Sequence, residues 1–119
     1  MGALLVVDDD PQMLDILCTM LKRSHRIVRA AGANAALSIL EGGTPVDLLL
    51  TDVAMPGVNG FGLARLARQR WPRLKVLYLS GVPSSADVMR DPTERYGKLL
   101  NKAISALDLI MEVDRALAG

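Results

Sequence analysis

The sequence predicts a doubly wound α/β domain, a parallel five-stranded sheet with helices on both faces, and three observations carry that prediction. Short continuous apolar runs recur, with ALLVV at Ala3–Val7, VDLLLT at Val46–Thr51 and LKVLYL at Leu74–Leu79. They lack the alternation of a half-exposed strand, so they read as strands buried on both faces. Segments with helical spacing of apolar residues separate them, which is the alternation that builds a parallel sheet. The chain has 119 residues, the length of one domain, and half of them are apolar. With one Trp, two Tyr and one Phe, the core has to be built from Leu, Val, Ile, Met and Ala.

Each element has its own signal. Ala3–Val7 is a strand, followed by Asp8, Asp9, Asp10 and a helix opened by Pro11 in its first turn. Met13, Leu17, Met20 and Leu21 share one face of that helix, which ends near Ser24-His25. Ile27-Val28 is a short second strand. Asn34 is placed to cap a helix holding Leu37, Ile39 and Leu40, stopped by Gly42-Gly43 and Pro45. Val46–Thr51 is the third strand, and beyond the MPGVNG turn Leu63, Leu66, Ala67 and Trp71 line a helix closed by Pro72. Leu74–Leu79 is the fourth strand, and a short helix is expected around Ser85–Arg90. Lys98–Leu100 is a brief fifth strand, and Leu107, Ile110, Met111 and Leu117 mark a final amphipathic helix. The expected arrangement is flavodoxin-like, with strand order 2-1-3-4-5 and one domain over residues 1–119.

Charge and cysteine content exclude several classes. Lys plus Arg is 14 and Asp plus Glu is 13, so no overall field steers nucleic acid or membrane. Cys18 is the single cysteine, which rules out an internal disulfide framework and fits a reducing compartment. No apolar run approaches the ~20 residues of a membrane span. The N-terminus lacks the charged region of a signal peptide, and Val6 stands where a myristoylation motif wants Ser or Thr. A cytoplasmic location is expected.

In an open parallel sheet, ligands bind beyond the carboxyl ends of the strands. Asp8, Asp9 and Asp10 follow strand one, Asp52 follows strand three, Ser80 follows strand four, and Asn101-Lys102 follows strand five. Two like charges ~4 Å apart cost roughly 4 kcal/mol at an effective dielectric near 20, so these acids need a cation. Lys102 supplies one positive charge. An all-oxygen donor set without His or Cys favours Mg²⁺, with Mn²⁺ as the alternative, over Zn²⁺. Acids, a hard metal, a hydroxyl and an ammonium suit phosphoryl transfer, in which a carboxylate can be the nucleophile.

LLVVDDDP, LLLTDVAMPGVNG, VLYLSG and LLNKA, in that order, resemble the receiver domain of two-component response regulators, most nearly those of hybrid histidine kinases or stand-alone receivers. The resemblance implies a phosphoacceptor receiver in a phosphorelay, with Asp52 taking a phosphoryl group from a phosphohistidine on a histidine kinase or histidine phosphotransfer protein. It implies Mg²⁺ held by Asp9 directly, by Asp8 through water or hydrogen bonding, by Asp52, and by the backbone carbonyl of Ala54. Ser80 and Lys102 would bind phosphoryl oxygens. No output domain, nucleic-acid contact or membrane contact is expected. The resemblance allows a weak homodimer through the fourth helix, fifth strand and fifth helix. Two departures stand out. The family's proline and aromatic after the lysine are Ala103 and Ile104 here, which bears on the reach of Lys102. The aromatic switch position is Leu99, so ring-coupled switching is altered.

Blander roles stand beside these. Asp10, next to Pro11, reads as a helix cap. Gly57 and Gly60 read as relief of backbone constraint in the turn after Asp52. His25 reads as a surface turn residue, Cys18 as helix packing, and Trp71 as a hydrophobic lid. A constitutive docking scaffold is the rival binding function. A Mg²⁺-dependent phosphohydrolase is disfavoured, because the position two beyond the nucleophile is Ala54 where such enzymes want an acid.

Overall fold

Backbone pairing in the computed structural model, which describes residues 2–81 and 96–119, joins five parallel strands in one sheet of order β2-β1-β3-β4-β5. The elements are β1 (Ala3–Val7), α1 (Pro11–Leu21), β2 (Arg26–Ala30), α2 (Ala33–Glu41), β3 (Leu48–Asp52), α3 (Gly60–Arg70), β4 (Lys75–Ser80), β5 (Leu99–Asn101) and α4 (Ala106–Ala118). The helix expected at Ser85–Arg90 lies outside the described residues. No helix among the described residues is long and apolar enough to cross a membrane.

Because successive strand residues point to opposite faces, the apolar runs feed two cores. Leu4, Val6, Leu48, Leu50, Leu77 and Leu79 pack with α1 and α4 on one face. Leu5, Val7, Leu49, Val76 and Tyr78 pack with α2 and α3 on the other. All five residues of β3 are buried, as a central strand covered on both sides requires.

Several expected boundaries move. β3, β4 and β5 each run one residue further toward their carboxyl ends than the apolar runs suggest, since Asp52, Ser80 and Asn101 remain in the ladder despite their polarity. β2 spans five residues because pairing with β1 satisfies its backbone whether or not Arg26 and Arg29 are apolar. Asn34 does not cap α2: Gly32 holds the cap position and no side chain caps that end. Asp10 does cap α1, accepting a hydrogen bond of 3.0 Å from the Gln12 amide. Cys18 is buried on the inner face of α1.

The last helix meets its expected face in part, with Ile110 and Leu117 packed against the core. Leu109 and Val113 enter the core, while Leu107 and Met111 are exposed, and so is Leu66 on α3. These helices carry more apolar residues than one buried stripe accommodates, so their contact with the sheet selects the face. His25 is not a surface residue: its side chain is 4 % exposed and its Nε2 lies 2.9 Å from Asp114 Oδ1. Its Nδ1 accepts the Gly2 amide at 3.1 Å, which ties the α1–β2 turn to the start of β1.

Candidate functional site

Register alone brings the expected residues together. Val7 pairs with Thr51, so the next residues, Asp8 and Asp52, emerge side by side from the two central strands. Asp52 pairs with Leu79 and Ser80 with Asn101, so Ser80 and Lys102 leave the same edge on the other side. The Lys102 amide donates to the Ser80 carbonyl at 2.9 Å, which starts the turn that carries the lysine side chain over the sheet end.

Lys102 Nζ sits between the two buried acids, 3.0 Å from Asp8 Oδ2 and 3.1 Å from Asp52 Oδ2. Its reach is therefore intact with Ala103 in place of proline. The Ala103 amide is held by Asn101 Oδ1 at 2.8 Å, an Asx turn that fixes this loop. The second oxygen of Asp52, Oδ1, accepts the Ala54 amide at 3.2 Å. Asp8 Oδ1 accepts the Asp10 amide at 2.9 Å. Asp8 Oδ2 is close enough to Lys102 for an ion pair, yet the approach is poorly directed, and this fully buried oxygen has no hydrogen-bond donor among the described residues.

Burial is the largest influence on the Asp52 carboxyl and raises its pKa; contact with Lys102 pulls it down and the Asp8 charge pushes it up, with a net rise. Burial alone would lower the pKa of Lys102, but its contacts with Asp8 and Asp52 outweigh that and hold the ammonium charged. The site is thus a partly compensated cluster in which one cation serves two buried acids.

Asp9 is exposed, beside Asp8 and Asp52, and carboxylate oxygens of all three lie within 4.8 Å of one another. That all-oxygen cluster, with one oxygen buried and without a donor, fits a hard divalent cation. Asp10 is not part of it, being turned to cap α1. Ser80 is buried at the end of β4, and Ala54 is exposed in the loop beyond Asp52.

Gly60 makes the loop from Asp52 to α3 possible. Its amide donates to the Val53 carbonyl at 2.9 Å. A Cβ at Gly60 would stand 2.3 Å from the Asp52 carbonyl oxygen, so only glycine brings α3 this close to the strand end. Gly57 is at φ 75°, where glycine carries no steric penalty. Leu99 packs into the core on the α2–α3 face. Sequence reasoning passed over Tyr78, a wholly buried ring packed 4.8 Å from Phe61, because LKVLYL reads as one undifferentiated apolar run.

Comparison with known proteins agrees with this architecture. The chain matches the response regulator receiver domain family over residues 4–114. It is 32% identical over 119 residues to the response regulator receiver protein CpdR of Brucella abortus (strain 2308), covering 98% of each chain. It is 30% identical over 115 residues to the sensor kinase CckA of the same organism, covering 96% of this chain but 12% of CckA. A CheY-like receiver domain from Methanospirillum hungatei JF-1 superposes with a TM-score of 0.89 at 24% identity, covering 99% of this chain and 94% of that one. The match to a single receiver family runs from the first strand into the last helix, and the chain belongs to the response regulator receiver domain family of two-component systems.

Proposed function

We propose that Asp52 is the phosphoryl acceptor of this receiver domain, and that a histidine kinase or histidine phosphotransfer protein is the donor. The observation that carries the reading is the placement of Asp52 at the end of the central strand, with Lys102 Nζ 3.1 Å from Oδ2 and an acid cluster beside it. A carboxylate oxygen of Asp52 attacks the phosphorus of the phosphohistidine. The new O–P bond forms an acyl phosphate, the P–N bond breaks, and its electron pair stays on the imidazole nitrogen. Burial works against the ionised nucleophile, and Lys102 offsets part of that effect.

Asp8, Asp9, Asp52 and the Ala54 carbonyl would hold Mg²⁺, with Mn²⁺ as a substitute; when bound, the metal supplies charge neutralisation for the acids and the phosphoryl oxygens. Lys102 and the Ser80 hydroxyl would donate hydrogen bonds to phosphoryl oxygens. Like receivers in general, the domain signals rather than turning over a substrate. Phosphorylation alters its surface, and a changed surface changes partner binding.

The test uses beryllofluoride with Mg²⁺, a phosphoryl mimic, on the wild type and on Asp52→Asn. The wild type is expected to bind it and Asp52→Asn is not; equal behaviour would sink the phosphoacceptor reading. Leu99 favours a second reading, a constitutive docking scaffold, because a leucine packed in the core has no ring to rotate. That reading predicts partner capture that is the same with and without beryllofluoride.

A further inference from the structure

Lys102 reaches the acids from β5, the shortest strand, whose three residues form one edge of the sheet. So short an edge strand has few ladder bonds of its own to fix its position. What holds its entrance is therefore part of how the lysine is aimed. Tyr78 lies opposite Leu99 in the register of β4 with β5, two residues before Ser80. Its amide donates to the Lys98 carbonyl at 2.9 Å. Its hydroxyl oxygen accepts the amide of Tyr96 at 3.1 Å. One buried residue thus grips the incoming chain twice, at Tyr96 by side chain and at Lys98 by backbone.

Neighbouring contacts leave this entrance little slack. At Gly97, between the two grips, a Cβ would stand 1.6 Å from the Val76 carbonyl oxygen, so the backbone lies flat against β4. The Arg68 guanidinium stacks 5.1 Å above the Tyr96 ring while donating to the Leu74 carbonyl at 2.9 Å. The Tyr78 ring is itself fixed against Phe61. From this anchored entrance β5 runs three residues to the Lys102 turn.

We propose that Tyr78 is a positioning residue for Lys102: through its hydroxyl it fixes the entrance of β5, and through β5 the reach of the ammonium toward Asp8 and Asp52. This role rests on the phosphoacceptor reading only for its functional consequence. In register Tyr78 lies opposite Thr51 while Asp52 lies opposite Leu79, so the Tyr78 and Asp52 side chains leave opposite faces of the sheet.

Tyr78→Phe removes the hydroxyl and keeps the ring. Beryllofluoride with Mg²⁺ is expected to bind this variant at least about fivefold more weakly, since the Tyr96 amide loses its acceptor and a neutral hydrogen bond is of that size. The decisive comparison is a double-mutant cycle with Lys102→Met. If the tyrosine acts through the lysine, Tyr78→Phe has no further effect once Lys102 is gone. An equal loss in both backgrounds, or no loss in either, overturns the inference. Amide hydrogen exchange of the unaltered, metal-free protein gives a second measure that needs no variant. Protection of the Tyr96 amide at the level of β5 amides is expected, and exchange at the rate of an open loop overturns the role. Failure of the phosphoacceptor reading has a different signature, with Asp52→Asn binding the mimic as the wild type does and the exchange result untouched.

Discussion

Lys102 Nζ stands almost equally far from Asp52 Oδ2 and Asp8 Oδ2, at 3.1 and 3.0 Å, so one ammonium compensates two buried carboxylates. Removing it leaves both acids without their cation in the described structure. Breaking a buried pair from one side costs about 3–5 kcal/mol. The pair here is partly exposed on the lysine side, so Lys102→Met is expected to cost on the order of 2 kcal/mol at neutral pH. The Lys102 pKa is raised in the folded state, so its contribution is present below the unfolded value and vanishes as pH rises through the folded one. Chemical denaturation of Lys102→Met beside wild type across alkaline pH checks this. Curves that converge at high pH agree; a constant gap does not.

The Asp52 carboxyl also loses stability as pH rises, in a lower pH window and because burial disfavours its charged form. Burial, opposed by Lys102 and helped by Asp8, raises its pKa above the unfolded value. Such a group binds more protons folded than unfolded, so stability falls as pH climbs through the window between the two values. Asp52→Asn has no charge to bury at any pH. It is expected to raise the Tm at neutral pH by a few degrees, on the order of 1 kcal/mol, and to lose that gain below about pH 4. A variant less stable than wild type at neutral pH would mean that the Lys102 contact outweighs burial.

Divalent metal should act on the same cluster. A ligand that binds only the folded state stabilises it in proportion to the logarithm of its concentration over Kd. Mg²⁺ is expected to raise the Tm of the wild type, and to do so much less in Asp9→Asn. Asp9 is the exposed member of the cluster, so its replacement disturbs no packing. Equal metal-induced shifts in the two proteins would remove Asp9 from the ligand set.

Gly60 tests how tightly the loop beyond Asp52 is drawn. The added methyl of Gly60→Ala would meet the backbone carbonyl of Asp52 at 2.3 Å, and a backbone oxygen cannot turn aside as a side chain can. Strain of this kind costs about 1–3 kcal/mol. Because the strained atom belongs to Asp52, beryllofluoride affinity should fall with stability. Gly57→Ala, at a positive φ but in open space, should lose stability alone.

How far the sequence reveals all this depends on the kind of force involved. β3 was legible because continuous apolar runs have few other places to go, and the site was legible because polar residues at strand ends stand out against those runs. Strand order matches expectation, and Asp8, Asp52 and Lys102 lie together at the end of the sheet. What stayed hidden was set by tertiary contact. Leu107 and Leu109 are equally apolar, and only the sheet chooses which is buried. Tyr78 looked like any strand residue until its hydroxyl met Tyr96. His25 looked like a turn residue, because nothing near it in sequence announces Gly2 or Asp114 as partners.

That histidine supplies a control at the far end of the sheet from Asp52. Its Nδ1 accepts the Gly2 amide, which requires the proton on Nε2, where it is donated to Asp114. His25→Phe fills similar space but leaves the Gly2 amide without its acceptor and Asp114 without its partner. An unsatisfied donor in a partly buried place costs about 1–3 kcal/mol, so the Tm should drop by roughly 3–10 °C. Gly2 and His25 lie at the amino ends of β1 and β2, whereas the acids lie at the carboxyl end. Beryllofluoride affinity is therefore expected to stay at the wild-type value while stability falls. A parallel loss of affinity would show that the two ends of the sheet are energetically coupled, and that affinity losses in Gly60→Ala and Tyr78→Phe report global loosening instead of local geometry.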